Sequence, residues 1–303
     1  MNEYAFSTLP PLKAPLETPV QSSAQPNWNA LKGKIRDHFV RNPVLKPQIK
    51  ENEARVRQLE QLGMVVIEDL LSREEVTALA QRLQPTIVDC ARNRLTQNFR
   101  HTRWPHYGRF RVFEIHEHHP EVMEVFSHPT VTDLVQSYMS QQGALKTTIL
   151  ELRVQPPSWD AALVDLYPHC DHIYREVKVF LALEDIEMKH GPMIYWTRTH
   201  LDGEWRRLPD YLFSIGGVWS ESHIMTEMAI DSLMGRHPEF QQTQRVACVV
   251  PAGSLYIVDT RGLHRAGFLE GGHRFQIYGE YAMRGYERHG IPCKDHFQPL
   301  NLG

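Results

Sequence analysis

Two imidazoles and a carboxylate that can meet around one metal ion are the first chemistry this sequence offers. His169 and Asp171 are separated by one residue. On an extended chain, residues two apart project to the same face, so the pair can present one nitrogen and one oxygen to a common ion. Histidine is abundant, 17 of 303 residues, and His-x-Asp occurs a second time at His200/Asp202, against roughly 0.7 accidental occurrences in a chain of this composition. Context separates the two dyads. The first follows Tyr167-Pro168 and leads into the strand-like run Val177 to Leu183, whereas the second runs into Gly203 and an irregular segment that offers no third ligand. The best candidate for a third ligand closes the run Pro251 to His264, where a Gly turn and an apolar strand would place the His264 imidazole at the strand's end.

Arg274 lies ten residues beyond His264, in the alternating run His273 to Tyr278, with Arg274, Gln276 and Tyr278 on one face. An inward-facing arginine is costly unless it meets an anion. The guanidinium fork suits a carboxylate, such as the far end of a dicarboxylate co-substrate. The plainer reading of Arg274 is a structural ion pair with a carboxylate such as Glu280. Arg153 and Gln155, on the strand before the dyad, can reach a bound ligand or sit at the surface. Lys178 alternates with Phe180 and Ala182 and faces either into a barrel or onto its outer sheet face. The run His116-Glu117-His118-His119 resembles a metal site by eye, but adjacent residues diverge in direction, which reads as a solvated turn before Pro120. Trp104, His106, Tyr107 and Arg109 form an aromatic-basic cluster whose plainer role is packing.

The elements that must position these groups divide the chain. Residues 1–50 read as a proline-rich tail, flexible or draped over the surface, and residues 51–303 as one domain: a helical part 51–145, a β core 146–283 and an irregular insert 201–240 suited to a lid. Ala54, Val56, Leu59 and Leu62 have helical spacing, with Gly63 at the C-cap position. A strand Met64 to Ile67 follows. Ser72 and Glu75 form a capping box for a second helix running to about Pro85, and Pro120 opens a third helical region. Short β runs then cover Thr147 to Val154, Val177 to Leu183, Met193 to Trp196, Val246 to Val250, Leu255 to Val258 and Phe275 to Tyr281, which predicts a jelly-roll-like double sheet.

Global composition limits the ligand. A net charge of −3 gives no electrostatic reason to bind nucleic acid or an anionic membrane. No apolar run approaches the roughly 20 residues needed to span a bilayer. Cys90, Cys170, Cys248 and Cys293 form no CxxC pair and follow no secretory leader, so reduced thiols in a cytoplasm are expected. Oligomeric state is not legible.

Taken in order, Leu62-Gly63-Met64-Val65-Val66 ahead of Leu70-Leu71-Ser72, His169-Cys170-Asp171, the Gly191-Pro192 strand ending at His200, and Ala252-Gly253-Ser254 through His264 to Arg274 resemble the phytanoyl-CoA dioxygenase family of non-haem iron oxygenases. The resemblance covers roughly residues 51–283. It implies a double-stranded β-helix (jelly roll, cupin-like) core, iron(II) held by His169, Asp171 and His264, 2-oxoglutarate chelating that metal with its distal carboxylate on Arg274, and dioxygen as oxidant. Two departures stand out: Thr197-Arg198-Thr199-His200 replaces the Pro-Gly-Ser-His often found in the family, and Ala266 stands where a small hydroxyl residue is common. The family's chemistry releases succinate and carbon dioxide, with hydroxylation of a small-molecule metabolite the simplest outcome. Desaturation, ring closure or demethylation are open to the same centre, and Asp171 disfavours halogenation. A non-oxidative metal-binding or ligand-binding barrel is the alternative from another class.

Overall fold

The computed structural model describes residues 43–93, 108–154, 168–171, 175–201 and 242–283. Residues 1–42 of the expected tail, most of the expected insert, and Trp104, His106, Tyr107, Gln155, Asp202 and Cys293 lie outside them. Helix α1, Asn52–Leu62, buries Asn52, Val56 and Leu59. It stops at Gly63, whose φ of 79° is left-handed and whose N–H returns to the Leu59 carbonyl at 2.9 Å. An added Cβ at Gly63 would lie 2.2 Å from the Tyr195 hydroxyl, so the position is closed to side chains twice over. The entry to α1 is capped from a distance: the Asp133 carboxylate accepts the N–H groups of Gln48 and Ile49 at 2.7 and 3.0 Å and the Asn52 amide at 2.9 Å.

Strand β1, Met64–Ile67, leads to helix α2, Arg73–Asn93. Its capping box forms as the sequence suggests: Ser72 N–H donates to Glu75 Oε2 at 2.8 Å, and Glu75 N–H to Ser72 Oγ at 3.2 Å. The expected stop near Pro85 is wrong, since α2 runs through that proline. A proline in a helix interior costs about 3 kcal/mol, whereas each fully buried large aliphatic side chain contributes about 1.5–3 kcal/mol. Leu83, Ile87 and Cys90, on both sides of the proline, are all fully buried. The run after strand β2, Arg109–Phe113, also differs from expectation. His116 to His118 belong to a one-turn helix α3, Ile115–His118, followed by α4, Val122–Phe126, and α5, Pro129–Tyr138.

The remaining strands are β3 Gly143–Val154, β4 Glu176–Ala182, β5 Met193–Trp196, β6 Arg245–Ala247, β7 Leu255–Asp259, β8 His264–Ala266 and β9 His273–Met283. They form a six-stranded sheet in the order β1-β7-β4-β9-β3-β2 and a three-stranded sheet in the order β6-β5-β8. All described pairings are antiparallel. The large sheet therefore carries two apolar layers. Val65, Val177, Val179, Leu181, Ile257, Phe275 and Ile277 pack outward with the helices. Met64, Phe180, Tyr256, Val258, Ile149 and Tyr278 face inward toward Tyr195 of the small sheet. This is the jelly roll that the short strands suggested, but β1 and β2, from the helical part of the chain, complete its large sheet. No helix among the described residues is long and apolar enough to cross a membrane.

Candidate active site

Backbone pairing places His169 beside His264. His169 forms a bridge to His264, with N–H to carbonyl bonds of 2.9 Å in both directions, and Asp171 N–H donates to the Thr260 carbonyl at 2.9 Å. The dyad thus joins the edge of β8, and the two imidazole rings lie 4.5 Å apart between centroids. Asp171 Oδ1 is 3.6 Å from His169 Nε2, and Oδ2 is 3.5 Å from His264 Nε2. Donor atoms each about 2.1 Å from a shared ion have separations of this order. This trio is the one histidine, cysteine and carboxylate group among the described residues with donors close enough to hold a metal.

The tautomer of His264 is set by its surroundings. Its Nδ1 lies 2.9 Å from the Gly262 carbonyl, so Nδ1 carries the proton and Nε2 presents a lone pair toward Asp171. The turn that supplies this carbonyl is held at several points. Tyr138 and Arg261 N–H donate to the Asp259 carboxylate at 2.6 and 2.9 Å, Tyr195 donates to the Asp259 carbonyl at 2.9 Å, and Leu263 N–H donates to Thr199 Oγ1 at 2.8 Å. A Cβ on Gly262 would stand 2.0 Å from the Tyr195 hydroxyl. Lys178 faces inward and donates to Asp171 Oδ2 at 2.7 Å. Burial alone would raise the Asp171 carboxyl; the Lys178 ammonium beside it does most to hold it well below the usual carboxylate range.

A second charged cluster lies on the same inward face. Arg274, Gln276, Tyr278 and Glu280 occupy alternate positions of β9, with Lys178 opposite Glu280 and Arg153 opposite Arg274. Arg109 is opposite Arg153 in turn, so three arginines form one row across β2, β3 and β9. One row further in, Glu151 Oε2 accepts Arg109 and Arg111 at 2.6 and 2.8 Å, while Oε1 accepts Gln276 at 2.9 Å. Arg274 reaches Glu151 Oε1 at 3.4 Å and also donates to the Gly191 carbonyl. Burial opposes ionisation of Glu151, yet Arg111, Arg274 and Arg153 bring its carboxyl down to about 2. Burial and the adjacent Arg274 pull the Arg153 guanidinium down to about 9. Arg153 Nη1 and Arg274 Nε are buried without a hydrogen-bond partner among the described residues. The cluster thus has more cationic capacity than Glu151 absorbs, and Lys178, not Arg274, takes Glu280 at 3.2 Å.

The other histidine patterns are used structurally. His116 Nδ1 contacts Thr148 Oγ1 at 2.7 Å, and His119 Nε2 contacts Thr86 Oγ1 at 2.8 Å. His200 Nε2 donates to the Glu60 carbonyl at 2.9 Å, and burial lowers its pKa to about 4. An unfolded His200 titrates near the ordinary histidine value of 6.5, so between these values the unfolded chain binds more protons, and stability falls as the pH drops. The expected loss from pH 7 to pH 4 is roughly 3 kcal/mol for this group. His200→Gln should flatten that part of a denaturant-melt stability profile.

Sequence reasoning did not single out Glu151, Arg111, Tyr138 or Asp259. Glu151 stands two residues from Arg153, so the alternation that placed Arg274 inward could have found it.

A family model described as Phytanoyl-CoA dioxygenase (PhyH) matches residues 59–272. No curated protein matches the chain in sequence. Similar solved structures include EctD from S. alaskensis with bound Fe (16% identity, TM-score 0.56, covering 80% of this chain and 82% of that one). Another is the epimerase SnoN in complex with Fe3+, alpha ketoglutarate and nogalamycin RO (16%, TM-score 0.54, 77% and 84%). A third is HygX from Streptomyces hygroscopicus with nickel and 2-oxoglutarate bound (15%, TM-score 0.52, 79% and 88%). At these identities the likeness is one of fold.

Proposed function

We propose that this chain, which belongs to the phytanoyl-CoA dioxygenase (PhyH) family and is a non-haem iron(II), 2-oxoglutarate-dependent oxygenase, holds its metal through His169, Asp171 and His264 and its co-substrate through Arg274 and Arg153. The observation that carries this reading is the placement of both clusters inside one barrel. Asp171 is marked by Lys178 and Glu280 at one end of the inward face of β9, and Arg274 stands at the other end. The donor set fits the metal: two imidazoles and a carboxylate whose donor atoms lie together would hold iron(II) and would leave room for a chelating 2-oxo acid and dioxygen. The unpartnered nitrogens of Arg153 and Arg274 fit the dicarboxylate's far end, because a buried guanidinium pair needs more than one carboxylate to balance it.

Iron(II), 2-oxoglutarate and dioxygen, when bound together, supply a two-electron oxidation of substrate with release of succinate and carbon dioxide. The protein's part is positional. The Gly262 carbonyl orients the His264 ring, Glu151 gathers Arg109, Arg111 and Arg274 around one carboxylate, and Phe180, stacked between Tyr256 and Tyr278 at 4.6 and 4.9 Å, gives the barrel an apolar floor. We take hydroxylation of a small-molecule metabolite as the outcome. The guanidinium row argues against a non-oxidative metal barrel, which has no use for a dicarboxylate anchor. Buried thiols at Cys90 and Cys248, in no disulfide among the described residues, favour a reducing, cytoplasmic setting.

Succinate release is the test. Protein loaded with iron(II) should convert 2-oxoglutarate to succinate under air, faster in the presence of the right metabolite, and a chelator should stop it. No succinate across a broad metabolite panel would sink the reading.

A further inference from the structure

One charged group inside the barrel has no part in the chemistry above. Lys178 is an ammonium inside the barrel with its side chain only 18% exposed, and a cation beside a metal site works against metal binding. Its contacts define its geometry. Nζ lies 2.7 Å from Asp171 Oδ2 and 3.2 Å from Glu280 Oε1. Glu280 is its cross-strand partner, on β9 opposite β4, so the ammonium is held from behind by main-chain register rather than by a mobile loop. Asp171 Oδ1 faces His169 Nε2 at 3.6 Å, whereas Oδ2, 3.5 Å from His264 Nε2, is the oxygen that accepts the lysine. One carboxylate oxygen is therefore occupied by a clamped cation.

Resting on the metal-site reading above, we propose that Lys178, braced by Glu280, is a positioning residue that restricts Asp171 to a single metal-binding oxygen and so preserves the open positions a chelating co-substrate needs. A carboxylate with two available oxygens can bind a metal through both. Each extra protein donor at the triad is a position lost to 2-oxoglutarate or dioxygen. The lysine thus sacrifices metal affinity for coordination vacancy, and the two properties should move in opposite directions when it is removed.

The test uses cobalt(II) as a spectroscopic probe in the whole protein. Lys178→Met should bind cobalt(II) about tenfold more tightly, because losing the nearby ammonium and gaining an oxygen donor outweigh the loss of an orienting partner. Its d–d absorption should change shape, and its iron(II) form should bind 2-oxoglutarate about tenfold more weakly under anaerobic conditions. Lys178→Arg should restore the wild-type cobalt spectrum. If Glu280 left unpaired prevents Lys178→Met from folding, Lys178→Met/Glu280→Gln serves in its place. A folded variant whose cobalt spectrum and affinity match wild type overturns the proposal, as does one that loses 2-oxoglutarate affinity with an unchanged cobalt spectrum, which would make Lys178 a direct co-substrate contact. Failure of the wild type itself to bind cobalt(II), or binding that His264→Ala leaves intact, overturns the metal-site reading from which the proposal starts.

Discussion

His264→Ala should abolish the weak visible charge-transfer band that appears when iron(II)-loaded protein is titrated anaerobically with 2-oxoglutarate, and should lower kcat/KM by about a thousandfold or more, at least about 4 kcal/mol of transition-state stabilisation. The size follows from what remains: one imidazole and one carboxylate cannot hold the ion in a fixed orientation. The fold should survive, because His264 pairs with His169 and Tyr195 through its backbone, and the turn before it is held by Asp259, Tyr195 and Thr199. A thermal melt within a few degrees of wild type would separate lost chemistry from lost structure. His116→Ala is the matched control. It removes an imidazole bonded to Thr148 and should leave the band intact. A band that persists in His264→Ala would refute the assignment of this residue.

The two residues of that comparison show how far the sequence could be read. His264 follows a strand whose apolar run and Gly turn are visible in the letters, and Asp171 follows His169 at the spacing an extended chain needs, so their convergence could be expected without coordinates. His116 could be dismissed for a directional reason, although it lies in a helical turn rather than an open one. Lys178 could not be placed, because β4 is buried on nearly every residue, and a strand covered on both faces has no alternation to read. Strand β2 went unseen for the opposite reason. Its inward residues, Arg109 and Arg111, are charged and engage Glu151, so the polar face points into the barrel and the usual pattern is inverted. Pro85 misled because local propensity was outweighed by the burial of Leu83 and Ile87. Glu151 shows the general limit: alternation gives the face of a residue, while its partners on β2 and β9 depend on register across chain separations of 40 to 125 residues.

Arg274→Leu should raise the Kd and KM for 2-oxoglutarate by roughly 30-fold or more, because truncating one partner of a buried charge pair costs about 2–5 kcal/mol. The KM of the oxidised metabolite should change little. Arg274→Lys should fall between, since an ammonium keeps the charge but loses the fork. Arg153 gives the sharper test. Its guanidinium faces Arg274 across the sheet, has a buried nitrogen without a partner among the described residues, and is pulled down to about 9 by burial and by that neighbour. Removing it therefore relieves like-charge crowding in the empty protein, and Arg153→Leu should melt no lower than wild type. If Arg153 shares the co-substrate, the same variant should still bind 2-oxoglutarate about tenfold more weakly. Stability retained with affinity lost is the signature of a residue whose partner is the ligand. Unchanged affinity would leave Arg274 as the sole anchor and return Arg153 to the electrostatic neighbourhood of Glu151.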